Sequence, residues 1–134
     1  MGEHSIYGFS GAHRWEGDAC PGSVTLCQGI PDTPTEYSME GDAAHYLAAQ
    51  ILDAWKMSGD IETGHQVGLS MVGSPAPNGV MIDEEMYDAC VGYSMAIFDV
   101  VGTDVDNLLI EHRVHAPSIH PAAWGTMDAG YYRA

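Results

Sequence analysis

The chain has 134 residues, 46% of them hydrophobic, and its 19 acidic residues against four basic ones give a formal net charge of −15. That length suits one domain with a sizeable core, and no run approaches the ~18 apolar residues of a membrane span. The N-terminus lacks a basic region followed by an apolar one, and Ile6 stands where a myristoylation signal needs Ser or Thr, so a cytoplasmic protein is expected.

Lys56 is the only lysine, which leaves no material for the Lys/Arg patch that an ordinary duplex-DNA binder uses against phosphates. Either nucleic acid is not the partner, or metal ions and further sequence supply the positive charge, or the acidic surface imitates DNA. The plainest alternative is a soluble acidic protein. Cys20, Cys27 and Cys90 have no zinc-type spacing and read as reduced, mostly buried thiols.

In chain order, Ser10 can cap a short helix through Ala12–Trp15, which Cys20-Pro21-Gly22-Ser23 breaks. Residues 29–35, with Pro31 and Pro34, form a loop. An amphipathic helix then runs from about Met39 to Lys56, and Gly59 ends it. At ~100° per residue Ala44, Leu47, Ala48, Ile51, Leu52 and Trp55 share one stripe. Glu40 and His45 lie on its two margins, and Asp42 projects into solvent. A carboxylate and an imidazole bordering an apolar stripe want partners, because burying them alone is costly. A metal ion or another carboxylate would serve; a helix-dipole role for Glu40 and a backbone partner for His45 would also account for them.

Residues 60–80 are rich in Gly and Pro and read as a long connector, with one short strand around Gln66–Leu69. Asp83 or its neighbours start another helix with Met86, Cys90, Tyr93, Ile97 and Val101 as its apolar stripe, closed by Gly102. From Asn107 the period becomes two: Leu108, Ile110 and Val114 share one strand face, and Leu109, Glu111, Arg113 and His115 the other. Glu111 reads as a strand-face residue paired with Arg113 or solvent, or as an outer-shell partner of a metal site. His112, His115 and His120 read as strand-end polar groups. Gly125–Ala134 is a second strand, with Thr126, Asp128 and Tyr132 on one face, and it presents an edge that another strand could cover.

Three stretches, in order, resemble the PD-(D/E)XK nuclease superfamily, in particular its RecB-like and phage exonuclease branch. They are Ser10-Gly11-Ala12-His13-Arg14-Trp15 with Cys20-Pro21-Gly22-Ser23, then Glu40-Gly41-Asp42-Ala43-Ala44-His45, then Gly125-Thr126-Met127-Asp128. The second is similar to that branch's "E-G-T-x-x-H" helix, with Asp42 in place of Thr, and the third to its "G-T-x-D" strand. The resemblance implies an α/β (α+β) fold with helices packed on a small mixed sheet, an incomplete restriction-endonuclease-like core. It implies Asp128, His45 and Glu40 as ligands of Mg²⁺ or Mn²⁺, and phosphodiester hydrolysis in DNA as the activity.

The family's (D/E)-x-K strand has no counterpart here, since Lys56 is preceded at two residues by Ala54. The expectation is therefore the N-terminal part of one nuclease domain, helical over 1–102 with strands at about 107–115 and 125–133. Alone it should hold metal weakly and cleave poorly, and act on DNA through the complete domain, with a complementing C-terminal segment or as a homo-oligomer. The competing expectation is a non-catalytic acidic module, a DNA mimic or an inhibitor of a basic protein. In that case reversing Asp83, Glu84 and Glu85 would weaken partner binding, while replacing Asp128 or His45 would change nothing.

Overall fold

The computed structural model describes residues 35–118, 121–122 and 124–132. The readings made above for Ser10–Ser23, Cys20, Cys27 and His120 lie outside them. Residues 35–111 with 128–132 belong to one compact unit, and 112–127 to another.

The first unit is built on α1 (Glu36–Ser58). The helix starts earlier than Met39, because Thr35 and Ser38 form a reciprocal capping box: the Thr35 hydroxyl accepts from the Ser38 N–H, and the Ser38 hydroxyl accepts from the Thr35 N–H. It stops where expected, at Gly59, whose φ of 75° is the left-handed conformation that glycine adopts at no steric cost. Its buried residues are Ala43, Leu47, Ile51, Leu52 and Trp55. The apolar stripe is thus centred slightly off the expected one, with Ala44 and Ala48 half-buried beside it. Asp42 is half-buried as well, rather than free in solvent.

The segment expected as a connector with a short strand is instead a helix, α2 (Ile61–Ser70). Asp60 caps it, its carboxylate accepting from the Glu62 N–H at 3.2 Å. The glycines that suggested a loop have a packing purpose. Gly64 and Gly68 are one helical turn apart and both buried, and they let α2 lie directly on α1. A Cβ at Gly64 would meet the Ile51 carbonyl oxygen at 2.6 Å, and one at Gly68 would meet the Ile51 side chain at 2.7 Å. Helix propensity alone disfavours two glycines in ten residues; close approach of the two backbones outweighs it.

A tight hairpin-like loop follows, joined by a bridge between Pro75 and Met81 and by the Ala76 N–H to Val80 carbonyl bond. Asp83 then caps α3 (Glu84–Val101) through the Met86 N–H, and Gly102 ends it, both as expected. On its inner face Ser94, not Tyr93, is buried, together with Met86, Cys90 and Val101. The 3.6-residue period places position 94 inward, and the polar residue is tolerated there because its hydroxyl meets His65 Nε2 at 2.9 Å. Cys90 is a buried free thiol, as expected, and donates to the Ala44 carbonyl at 3.4 Å.

A 3₁₀ turn (Val105–Asn107) leads into β1 (Leu108–His115), which pairs with β2 (Trp124–Tyr131) in an antiparallel two-stranded sheet. The fold is α+β. Leu52, Trp55, Val101, Val105 and Leu108 form a core cluster that Ile110, Ala129 and Tyr131 border, so the helices pack on the sheet within this unit. Lys56 ties α1 to the start of β1, donating from Nζ to the Leu108 carbonyl at 2.6 Å. In the unit that holds 112–127, the Arg113 guanidinium stands 4.1 Å above the Trp124 ring, a cation–π contact. No helix among the described residues is long and apolar enough to cross a membrane.

Candidate metal centre

Three of the elements in the first unit each carry one polar residue to a common point. His45 comes from the third turn of α1, Glu111 from the middle of β1 and Asp128 from β2. One ligand atom from each lies within 4.8 Å of the other two, and all three residues are exposed. His45 Nδ1 stands 3.4 Å from Asp128 Oδ1, with about half of each side chain open to solvent (58% and 50%).

Asp128 and Thr126 keep the exposed face of β2 while Met127, Ala129 and Tyr131 are half-buried, which is the alternation read from the sequence. Glu111 departs from its strand's alternation. Its φ is 49°, and it is the one non-glycine described residue with a positive φ. Non-glycine residues in that region carry a cost of order 1–2 kcal/mol. A kink of this kind within a strand re-aims the side chain.

The electrostatics run against a cluster of two carboxylates left alone. The Glu111 carboxyl titrates above the ordinary glutamate range, first because surrounding protein partly strips its water, then because the Asp128 charge opposes a second negative charge. Asp53, two turns beyond His45 on α1, pushes the same way, while His45 pulls it down. The Tyr93 hydroxyl on α3 is raised too, by burial and then by the charges of Asp128 and Glu111.

Of the residues singled out from the sequence, the structure brings His45 and Asp128 together, and a Glu111 carboxylate oxygen lies within 4.8 Å of a ligand atom of each. Glu40 is not in the group. It is exposed and lines a separate cleft with Met39, Val80 and Asp83. Five helical residues turn a side chain by about 140° and carry it about 7.5 Å along the axis, so Glu40 and His45 cannot converge on one ion from the same helix. The backbone kink at Glu111 had no sequence signal, since glutamate is not a residue that favours positive φ. Two carboxylates and an imidazole suit a hard or borderline divalent cation, Mn²⁺ somewhat better than Mg²⁺.

Over residues 4–130 the chain matches a protein family, DUF2800, described as a protein of unknown function. The chain belongs to the DUF2800 family. No solved structure matches it.

Proposed function

We propose that this DUF2800 chain carries the metal-holding part of a divalent-cation-dependent deoxyribonuclease related to the PD-(D/E)XK superfamily, its RecB-like branch in particular. The observation that supports the reading best is the convergence of His45, Glu111 and Asp128 from a helix and two strands. It joins the two residues named by the resemblance to the "E-G-T-x-x-H" helix and the "G-T-x-D" strand, His45 and Asp128, to a third residue, Glu111, whose carboxyl is unfavourably charged without a cation.

Asp128 and Glu111 offer carboxylate oxygens to Mg²⁺ or Mn²⁺, and His45 offers Nδ1. A cation held there would lower the pKa of an attacking water and stabilise charge on a phosphate. Glu111 and Asp128 would otherwise repel a DNA phosphate in a chain of net charge −15, so substrate approach depends on their neutralisation. Lys56 does not take the lysine's part, because its ammonium is committed to the Leu108 carbonyl. In the proposal the (D/E)-x-K strand comes from further sequence or from a complementing chain. Hydrolysis is then a property of the completed domain, and metal binding one of this chain.

The test is a Mn²⁺ titration followed by electron paramagnetic resonance, which reads free Mn²⁺ directly. One ion per chain is expected, with affinity reduced at least about tenfold in Asp128→Asn, His45→Ala and Glu111→Gln, since even groups that only orient metal ligands cost about 10–100-fold when replaced. Glu40→Gln should leave it unchanged. Mn²⁺ binding that ignores Asp128→Asn and His45→Ala would overturn the assignment. The nuclease step is tested separately, by co-expressing the chain with a segment bearing a strand and (D/E)-x-K and assaying DNA cleavage.

A further inference from the structure

The cleft that holds Glu40 lies between the start of α1, the loop before α3 and the start of α3. Its lining is of two kinds. Met39, Val80, Met81 and Met86 give an apolar surface, and Glu36, Glu40 and Asp83 give a carboxylate rim. Two of the rim acids have local duties. Glu36 sits in the first turn of α1, where an acid complements the helix dipole, and Asp83 caps α3 through one oxygen. Glu40, one turn further on and exposed, has neither duty.

Met81 is 54% exposed, yet it does not sit on a loose loop. The Asn78 side chain donates to the Met39 carbonyl at 2.8 Å and accepts from the Val80 N–H at 3.1 Å. The Pro75–Met81 bridge and the Ala76–Val80 bond close the loop from the other side. The wall presenting Val80 and Met81 is therefore fixed to α1, and the cleft is formed in advance of any occupant.

We propose that this cleft docks a lysine- or arginine-bearing segment of a partner protein. A long cationic side chain has an apolar stem and a charged head, and this lining matches both parts. The stem lies along the methionines, whose unbranched thioethers adapt to varied shapes. The head enters the carboxylate rim, where the complementary sign steers encounter and fixes orientation. A basic partner protein is the occupant that complements a formal net charge of −15. The assignment does not depend on the metal centre, which uses none of these residues.

The experiment uses the whole chain, labelled with ¹³C at its methionine methyls, and a fluorescent octapeptide alternating leucine with lysine. A leucine–glutamate octapeptide is the control. The lysine peptide should shift the Met39, Met81 and Met86 resonances selectively among the eight methionines. Glu36→Lys with Glu40→Lys should weaken its binding at least about tenfold, as like charges juxtaposed across an interface do. Met81→Ser, which keeps every charge, should weaken it several-fold. Reversal of Glu62 and Asp99, exposed acids elsewhere, should change it less than about twofold, within the small effects of rim charges. Absence of binding, shifts spread over all methionines, or equal loss in the Glu62 and Asp99 reversals would overturn the proposal. The last two would mean general attraction to an acidic surface. Mn²⁺ binding should persist in Glu36→Lys/Glu40→Lys, so the cleft and the metal centre are judged apart.

Discussion

The contact between α1 and α2 and the point where α1 meets the two strands are built on opposite terms. Along the first, Gly64 and Gly68 bring two backbones together, and the buried polar pair His65–Ser94 nearby is hydrogen-bonded. At the second, a residue is held at a positive φ, and two carboxylates face each other with an exposed imidazole as their neighbour. The first region shows what packing achieves when nothing else is asked of it. The second retains strain and like-charge repulsion, which stability alone would not keep. Strained and locally inconsistent positions are where a hypothesis of function is best placed.

The contrast can be broken most severely on the packed side. Gly64→Ala puts a Cβ 2.6 Å from a backbone oxygen that cannot rotate away, and about 3 kcal/mol of stability should be lost in urea denaturation. Gly68→Ala meets the Ile51 side chain instead, which can shift, so a smaller loss of about 1–2 kcal/mol is expected. Next comes Ser94→Ala, which takes the hydroxyl partner from buried His65 and should cost about 1–3 kcal/mol by the same measurement. If Gly64→Ala proves neutral, the close approach of α1 and α2 is not what the glycines serve.

On the strained side the expected sign reverses. Glu111→Gln removes a charge that Asp128 and Asp53 oppose, so the metal-free protein should become slightly more stable while its Mn²⁺ affinity falls. The pH dependence follows from the same shift. The Glu111 carboxyl titrates higher folded than unfolded, so the folded state holds its proton longer. Its contribution to stability is therefore fully present below the unfolded value and lost as pH rises through the folded one. Melting without metal should show that loss in the native chain and not in Glu111→Gln. Saturating Mn²⁺ should remove it, since a cation offsets the repulsion. A Glu111→Gln protein that is less stable than the native one at neutral pH would mean that the carboxylate is structural.

The same division explains what the sequence made legible. Caps and stripes are local chemistry, so Gly59, Asp83 and Gly102 marked helix ends correctly, and the Leu47–Trp55 stripe was legible from its period. Asp128 and His45 were named by short motifs, and the structure brings their side chains together. What failed depends on partners far along the chain. The glycines of α2 looked like loop residues because the feature that makes them helical, the backbone of α1, is not in their own segment. Tyr93 was placed on the buried stripe in place of Ser94, because the partner that lets a serine lie inside, His65, is 29 residues away. Glu111 was assigned to a strand face by a strict alternation that its backbone breaks, and the reach of Glu40 was misjudged because a margin of a stripe is not a point in space.

Lys56 has one more consequence. Its amine is the sole lysine amine of the chain, and it is also the tether between α1 and the first residue of β1. Any acylation at that nitrogen, by an acetyl group or by an amine-directed label, would remove the charge and crowd the donor in one step. Reagents normally chosen as innocuous surface tags would here act as selective disruptors of the seam between helix and hairpin.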